Sequence, residues 1–312
     1  MVTLFMDVFA RSKQNRAALE ITVKVGCGRM CDYCPQELFI ESFKTKALSP
    51  NRALSLLDLQ GYIKNVPNST LIKWTGFTEP LDAKEFPEMV EFLHSSGFEQ
   101  TISTTLCGNK NSIEYFIMNI SKFTQLTLHL PDDQGLMKGK FNENYSVLLE
   151  KFITNYISEK KKPQVGFFLI GNNWHNSIRD IIKLNVQNGT FNDENVIKAK
   201  YLNTRAGSIS VKEFGLKVSG DPTTKGEKYY CSYQRLNQGV LTPDGSVVLC
   251  CQDYGMVHTV GSLKESKLDD IYNSIESNTE LKSSFENGTF SPCTNCEHYQ
   301  PIGSLLTTHR KV

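Results

Sequence analysis

Cys27, Cys31 and Cys34 form a Cys-x3-Cys-x2-Cys run, and this spacing constrains the chain more than any other feature. Three thiolates so close together can hold three irons of a [4Fe–4S] cube. The fourth iron then stays open to an exogenous ligand, much as a catalytic zinc keeps an open position. A zinc knuckle would instead close a Cys-x2-Cys pair with a fourth ligand, and no nearby His or Cys supplies one. The run follows residues 19–25, a strand-like segment in which apolar and polar residues alternate. Ligands of parallel sheets gather at the carboxyl ends of strands, so the loop lies where a site is expected.

The chain holds nine cysteines, an odd number. Residues 1–11 carry Asp7 and lack both a basic leading region and a small-residue cleavage site. A secreted disulfide framework is therefore not expected, and clustered thiols in a cytoplasmic chain are usually metal or redox ligands. With a formal net charge of +1, the chain gives no reason to expect nucleic acid or a membrane surface as partner. No apolar run reaches the length of about 18 residues that a bilayer-spanning helix needs. The basic run Lys160-Lys161-Lys162 before Pro163 reads as a solvated helix end.

Apolar periodicity predicts alternating strands and helices. Strands are expected at 19–25, 70–74, 100–105, 125–130 and 164–170. Helices are expected from Ser49, with Pro50 as first helical residue and Leu54, Leu57 and Tyr62 on the apolar face, and then at 84–94, 111–120 and 145–158. Five or six βα units before residue 205 imply a parallel sheet with right-handed crossovers. Periodicity alone fits an open or partial barrel as well as a doubly wound sheet. The tail differs: 239–242 and 246–249 flank Pro243-Asp244-Gly245 as a β-hairpin, and a short helix follows at 268–275.

With these residues on the page, the chain resembles the radical S-adenosylmethionine (SAM) superfamily. The triad, with the aromatic Tyr33 before its last cysteine, carries the resemblance first, and it extends over residues 19–205. Thr75-Gly76-Phe77-Thr78-Glu79-Pro80-Leu81 is similar to the family's Gly-Gly-Glu-Pro region, which holds the amino group of SAM. Phe77 and Thr78 between Gly76 and Glu79 depart from that pattern. Glu79 still offers a carboxylate to an ammonium. The resemblance implies that Gly76, Phe77, Thr78 and Glu79 bind SAM. It places Ser103, Thr104 or Thr105 against the ribose and residues 166–171 beside adenine. It also implies the fold: α/β, a partial (β/α)6 barrel of parallel strands.

A second thiol set comprises Cys231, Cys250, Cys293 and Cys296, with Cys293-x2-Cys296 at its end. On spacing alone it suits a structural zinc site as well as a closed four-iron cluster. Gly245-x4-Cys250 at the hairpin resembles the auxiliary-cluster extensions called SPASM, with two clusters, and Twitch, with one. No cysteine follows Cys296, so the resemblance implies one auxiliary [4Fe–4S] cluster in a small β-hairpin-plus-helix domain. The expected division is a barrel at 1–205, a connection at 206–229 and an iron–sulfur domain at 230–312. Cys251, adjacent to Cys250, could replace it as ligand. The layout looks close to the 2-deoxy-scyllo-inosamine dehydrogenase-like Twitch enzymes.

The resemblance implies reductive cleavage of SAM to methionine and a 5′-deoxyadenosyl radical, which removes a hydrogen atom from the substrate. An auxiliary cluster that accepts an electron makes the outcome an oxidation. Arg205, at the end of the barrel, is expected to anchor substrate, because guanidinium is a poor base. His129 ends a strand and is a second candidate. If Cys107 or Cys251 returns a hydrogen atom, the outcome is epimerisation.

The leading expectation is an oxidoreductase acting on a small polar molecule such as a sugar or aminocyclitol alcohol, reduced by a flavodoxin or ferredoxin and existing as a monomer or small homo-oligomer. A first strand near residue 19 leaves no room for a separate N-terminal peptide-recognition domain, which favours a small molecule. A peptide- or protein-modifying maturase is the second expectation. A non-catalytic iron–sulfur or zinc-binding partner protein is the third.

Overall fold

The structure is a computed structural model. It describes residues 17–139, 141, 143–198, 201–202, 204–209, 217–218, 229–231, 238–291, 293–296 and 298–301. Six parallel strands stand side by side in chain order: β1 (Ala18–Ile21), β2 (Leu71–Trp74), β3 (Gln100–Thr104), β4 (Gln125–Leu130), β5 (Gln164–Leu169) and β6 (Val196–Lys198). Helices α1 (Gln36–Lys46) and α2 (Leu56–Ile63) follow β1. Then α3 (Phe86–Ser95), α4 (Lys110–Met118), α5 (Glu143–Ser158) and α6 (Asn176–Gln187) follow β2 to β5 in turn. This is the α/β partial barrel expected.

The strands β7 (Tyr201–Leu202) and β8 (Lys217–Val218) pair with each other. After β9 (Tyr229–Cys231) come β10 (Gln238–Leu241), β11 (Ser246–Val248) and β12 (Thr259–Ser262). β10 lies parallel to β1, with Ala18 opposite Gln238 and Ile21 opposite Leu241. The hairpin β10–β11 and then β12 thus extend the same sheet to nine strands from its β1 edge. Helices α7 (Leu268–Ser277) and α8 (Thr279–Glu286) follow, and β13 (Tyr299–Pro301) returns to pair with β9.

Packing explains the elements. Leu19, Ile21, Ile72, Trp74, Leu126, Leu128 and Phe167 are fully buried in one core with Phe86, Met89 and Val90 of α3 and Phe116 of α4. Burying each such side chain contributes roughly 1.5–3 kcal/mol before entropy is subtracted. The indole of Trp74 donates to Gln100 Oε1 at 2.8 Å, so the one polar atom of that ring is satisfied inside the core.

The structure corrects two expectations near the cysteine loop. β1 ends at Ile21, not Val25, because the chain leaves the parallel sheet there. Val25 N donates to Arg52 O at 2.7 Å and Leu54 N to Val23 O at 2.8 Å, and Lys24 faces Ala53 in an antiparallel bridge. Residues 52–54 are therefore extended, and no helix starts at Pro50. Ser55 is the actual cap, its hydroxyl accepting from Asp58 N at 3.1 Å. Leu57, expected on the apolar face, is 77% exposed. Helices α1, α6 and α8 were not legible in the periodicity. The expected connection at 206–229 lies largely outside the described residues, as do residues 1–11. Lys160, Lys161 and Lys162 are exposed, as a solvated helix end requires.

Candidate functional site

The cysteine loop spans residues 27–34, between β1 and α1. Met30 at its middle takes a left-handed backbone (φ 48°), which turns the loop tightly. Cys34 N donates to Cys31 O at 3.0 Å. The loop is held from outside: Asp32 N donates to Leu136 O at 3.0 Å, and Lys138 pairs with Asp32 at 2.7 Å. Burial pushes the Cys27 thiol up to about 11 and raises Cys31 as well. A thiol in such a setting becomes a thiolate only beside compensating positive charge, which metal ions supply.

All three cysteines line one pocket at the carboxyl ends of β1 to β4. Its other walls include Arg29, Gln36, Thr75, Gly76, Phe77, Thr78 and Glu79, then Ser103, Thr104 and Thr105, then His129, Arg205 and Tyr254. The structure thus brings the triad together with Gly76, Phe77, Thr78, Glu79, Ser103, Thr104 and Thr105 and with two of the four catalytic candidates, His129 and Arg205. Cys107 and Cys251 are not on that wall. Cys107 packs against the main core, and burial pushes its thiol up to about 11.

The turn after β2 explains its glycine. Gly76 has φ +46°, and a Cβ there would lie 2.4 Å from Thr22 Oγ1 and 2.7 Å from the Ile21 carbonyl. Only a residue without a side chain lets the turn approach the end of β1. The same Thr22 Oγ1 then accepts from Phe77 N at 3.1 Å. Glu79 is buried and heavily bonded. It accepts from Thr104 Oγ1 at 2.5 Å, from Thr105 N and Oγ1 at 2.7 Å each, and from Leu81 N at 3.2 Å. Burial pushes its carboxyl up to about 6 against those hydrogen bonds. Thr104 and Thr105 therefore serve Glu79 directly, while Ser103 also lines the pocket.

On the opposite wall, His129 lies against Phe168, with ring centroids 4.9 Å apart. Burial, followed by the nearby Arg205 cation, pushes the imidazole down to about 4, so it is neutral at pH 7. Arg205 takes a left-handed backbone (φ 50°) and sets its guanidinium 5.8 Å from the centre of the Tyr254 ring.

The second thiol set lines a separate pocket. Cys231, Cys250, Cys293 and Cys296 all face it, with Asp253, His258 and His298 among the other walls. Long-range pairing assembles it: Tyr299 on β13 is the register partner of Cys231 on β9. A one-turn helix over Cys293–Asn295 folds the Cys-x2-Cys, and Cys296 N donates to Cys293 O at 2.8 Å. Buried Asp253 accepts from Val257 N at 2.9 Å and His258 N at 2.8 Å, which fixes the loop after Cys250. The Cys251 thiol hydrogen-bonds with that of Cys250 and packs against the cluster that includes Phe77 and Tyr254. Between the two adjacent cysteines, the geometry puts Cys250 on the pocket.

Among the described residues, no three His, Cys, Asp or Glu side chains converge on a single metal ion. The residues fit a bound group in one respect. Buried polar atoms without partners among the described residues concentrate on the same walls. Arg29 Nε, Gln36 Oε1 and Thr78 Oγ1 lie at the triad pocket, and Gln252 Oε1 at the second. Such an atom costs roughly 1–3 kcal/mol unless a ligand satisfies it. Arg29, Gln36 and Tyr254 escaped the sequence reading. Proximity to Cys34 was the available signal for the first two, and Tyr254 had none.

Comparison with known proteins agrees with this layout. Residues 231–297 match the family model of SPASM, an iron–sulfur cluster-binding domain. In fold, the chain is similar to SuiB of Streptococcus suis bound to the precursor peptide SuiA, at TM-score 0.52 and 13% identity, covering 92% of this chain and 72% of SuiB. SuiB bound to S-adenosylmethionine gives TM-score 0.51 at 14% identity, with 92% and 73% covered. BtrN in complex with AdoMet and 2-DOIA aligns at TM-score 0.47 and 14% identity, over 92% of this chain and 94% of BtrN. No curated protein matches by sequence. The chain thus resembles radical SAM enzymes with a C-terminal SPASM/Twitch-type domain, in motif, in fold and in the matched segment.

Proposed function

We propose that the chain is a radical SAM oxidoreductase that holds one [4Fe–4S] cluster and SAM at the triad pocket and a second [4Fe–4S] cluster at the other. One observation carries this reading. Cys27, Cys31 and Cys34 share a pocket with Glu79, Ser103, His129 and Arg205 at the carboxyl ends of parallel strands. When bound, the cluster and SAM supply a 5′-deoxyadenosyl radical that removes a substrate hydrogen atom.

The chain's own residues then have definite tasks. Cys27, Cys31 and Cys34 hold three irons, and Cys231, Cys250, Cys293 and Cys296 hold the auxiliary four. Glu79, fixed by Thr104 and Thr105, binds the ammonium of SAM, and Thr78 Oγ1 is a free polar atom beside it. Arg205 would orient the substrate, and His129, neutral at pH 7, would take up the substrate proton if a bound auxiliary cluster accepted the electron. A flavodoxin or ferredoxin is the proposed reductant. No helix among the described residues is long and apolar enough to cross a membrane. A peptide substrate is the alternative, because SuiB is described bound to its precursor peptide.

Anaerobic reconstitution tests the reading. The expected content is about eight irons per chain, and SAM with a strong reductant should yield 5′-deoxyadenosine. Zinc without iron would overturn it.

A further inference from the structure

Two side chains reach the Cys34 sulfur. Gln36 Nε2 lies 3.3 Å from Cys34 Sγ, and the same amide nitrogen also donates to the Phe77 carbonyl. On the other side, Cys34 Sγ is 3.5 Å from the Tyr254 hydroxyl. With the thiol protonated, Cys34 donates to Tyr254. An iron-bound thiolate has no proton, so the contact then persists with Tyr254 donating to sulfur.

Tyr254 is well placed to hold that role. It is 4% exposed. Its ring lies 4.7 Å from the Phe77 ring, and the Arg205 guanidinium covers it. It also belongs to the segment that matches the auxiliary-cluster domain. Cys250, four residues earlier, lines the other pocket. The turn between them is closed by Asp253 N donating to Cys250 O at 3.0 Å and Met256 N to Asp253 O at 3.0 Å. One short turn therefore carries a wall of each site.

We infer that Gln36 and Tyr254 are positioning residues that hydrogen-bond the Cys34 thiolate, and that through Tyr254 the C-terminal segment sets the reduction potential of the first cluster. This inference rests on the proposed cluster at the triad. Hydrogen bonds to a cluster's thiolates withdraw charge and favour the reduced, more negative state. Removing one donor must move the potential to a more negative value. A residue that only fills space would leave it unchanged.

The test is a redox titration of the full, anaerobically reconstituted chain, read by electron paramagnetic resonance. The first cluster is identified by the change of its signal on adding SAM. Tyr254→Phe should keep about eight irons and shift the midpoint negative, so that at the unaltered chain's midpoint the reduced fraction falls severalfold. Gln36→Leu should shift it in the same direction, and the double variant further. The auxiliary cluster's midpoint should stay where it was. Full iron with an unmoved first-cluster midpoint in Tyr254→Phe overturns the inference. If Tyr254→Phe does not load iron, 3-fluorotyrosine at position 254 keeps the shape and donates more strongly. The midpoint should then move positive, and no movement overturns the inference. Failure of the unaltered chain to take up iron would defeat the proposed function itself. An eight-iron, SAM-cleaving chain whose midpoint ignores position 254 defeats only this step.

Discussion

The two thiol pockets are built in opposite ways. The triad occupies eight consecutive residues, and its shape comes from one tight loop with a left-handed residue at Met30. The second set draws on residues as far apart as Cys231 and Cys296, and closes only when β13 pairs with β9. The first site is a property of local sequence placed after an interior strand of the sheet. The second is a property of tertiary structure. A local site should survive damage elsewhere, whereas a dispersed site should fail as a unit. Tyr254 is the exception that joins them.

Substitution of the ligands tests this asymmetry most strongly. Cys31→Ala should reduce 5′-deoxyadenosine release to background while about four irons remain at the second set. Iron analysis together with product chromatography reads both. Loss of all iron would break the contrast, because the dispersed site would then depend on the local one. Unchanged SAM cleavage would remove the triad from the chemistry altogether.

The reverse substitution comes next. Cys293→Ala removes one of the four thiols on the second pocket and should cost the whole auxiliary cluster, leaving about four irons at the triad. SAM cleavage should continue, because the triad lines a separate pocket. Substrate oxidation should stop. Equal turnover would show that the auxiliary cluster is not the electron acceptor.

The same contrast explains what could be read from the sequence. Strands β2 to β4 were legible because each buried residue alternates with a less buried one, as in the β4 pattern from Gln125 to Leu130. The triad, Glu79 and the auxiliary cysteines were legible because spacing alone marks them. The start of α2 was misplaced because Ser49-Pro50 carries a local cap signal. Backbone pairing of residues 52–54 with 23–25 overrides that signal. Nothing local says that Thr104 and Thr105 bond Glu79, which follows from β3 pairing with β2. Nothing local says either that Tyr254 reaches the first pocket, which depends on β10 docking against β1, a contact across more than 200 residues of chain.

A backbone substitution gives a smaller, more local effect. Gly76→Ala keeps every ligand but places a Cβ 2.4 Å from Thr22 Oγ1 at φ +46°. The strain should destabilise the barrel by about 1–3 kcal/mol and weaken SAM binding, while iron at the second pocket is retained. Denaturant unfolding and SAM titration would measure the two effects. A variant as stable as the original would show that the turn can move, and that its close approach to β1 does not fix Glu79.

The subtlest effect concerns pH and only the triad pocket. His129 has its imidazole pushed from 6.5 down to about 4 by burial and then by Arg205. The folded chain therefore binds fewer protons than the unfolded chain between those values, and stability rises with pH across that window. The contribution is present above pH 6.5 and is lost as pH falls through about 4. His129→Gln should flatten the stability-versus-pH curve in that range, with little change at pH 7.5. Proton acceptance predicts a second, separable result: substrate oxidation by His129→Gln falls at every pH, while 5′-deoxyadenosine release does not. If the curve flattens but oxidation is untouched, His129 is only a buried wall of the pocket, and the proton leaves by another route. No histidine lies among the triad ligands, whereas His258 and His298 face the second pocket. Cys293→Ala should therefore leave the His129 window in place, and a window that vanishes in that variant would show that the two pockets titrate together.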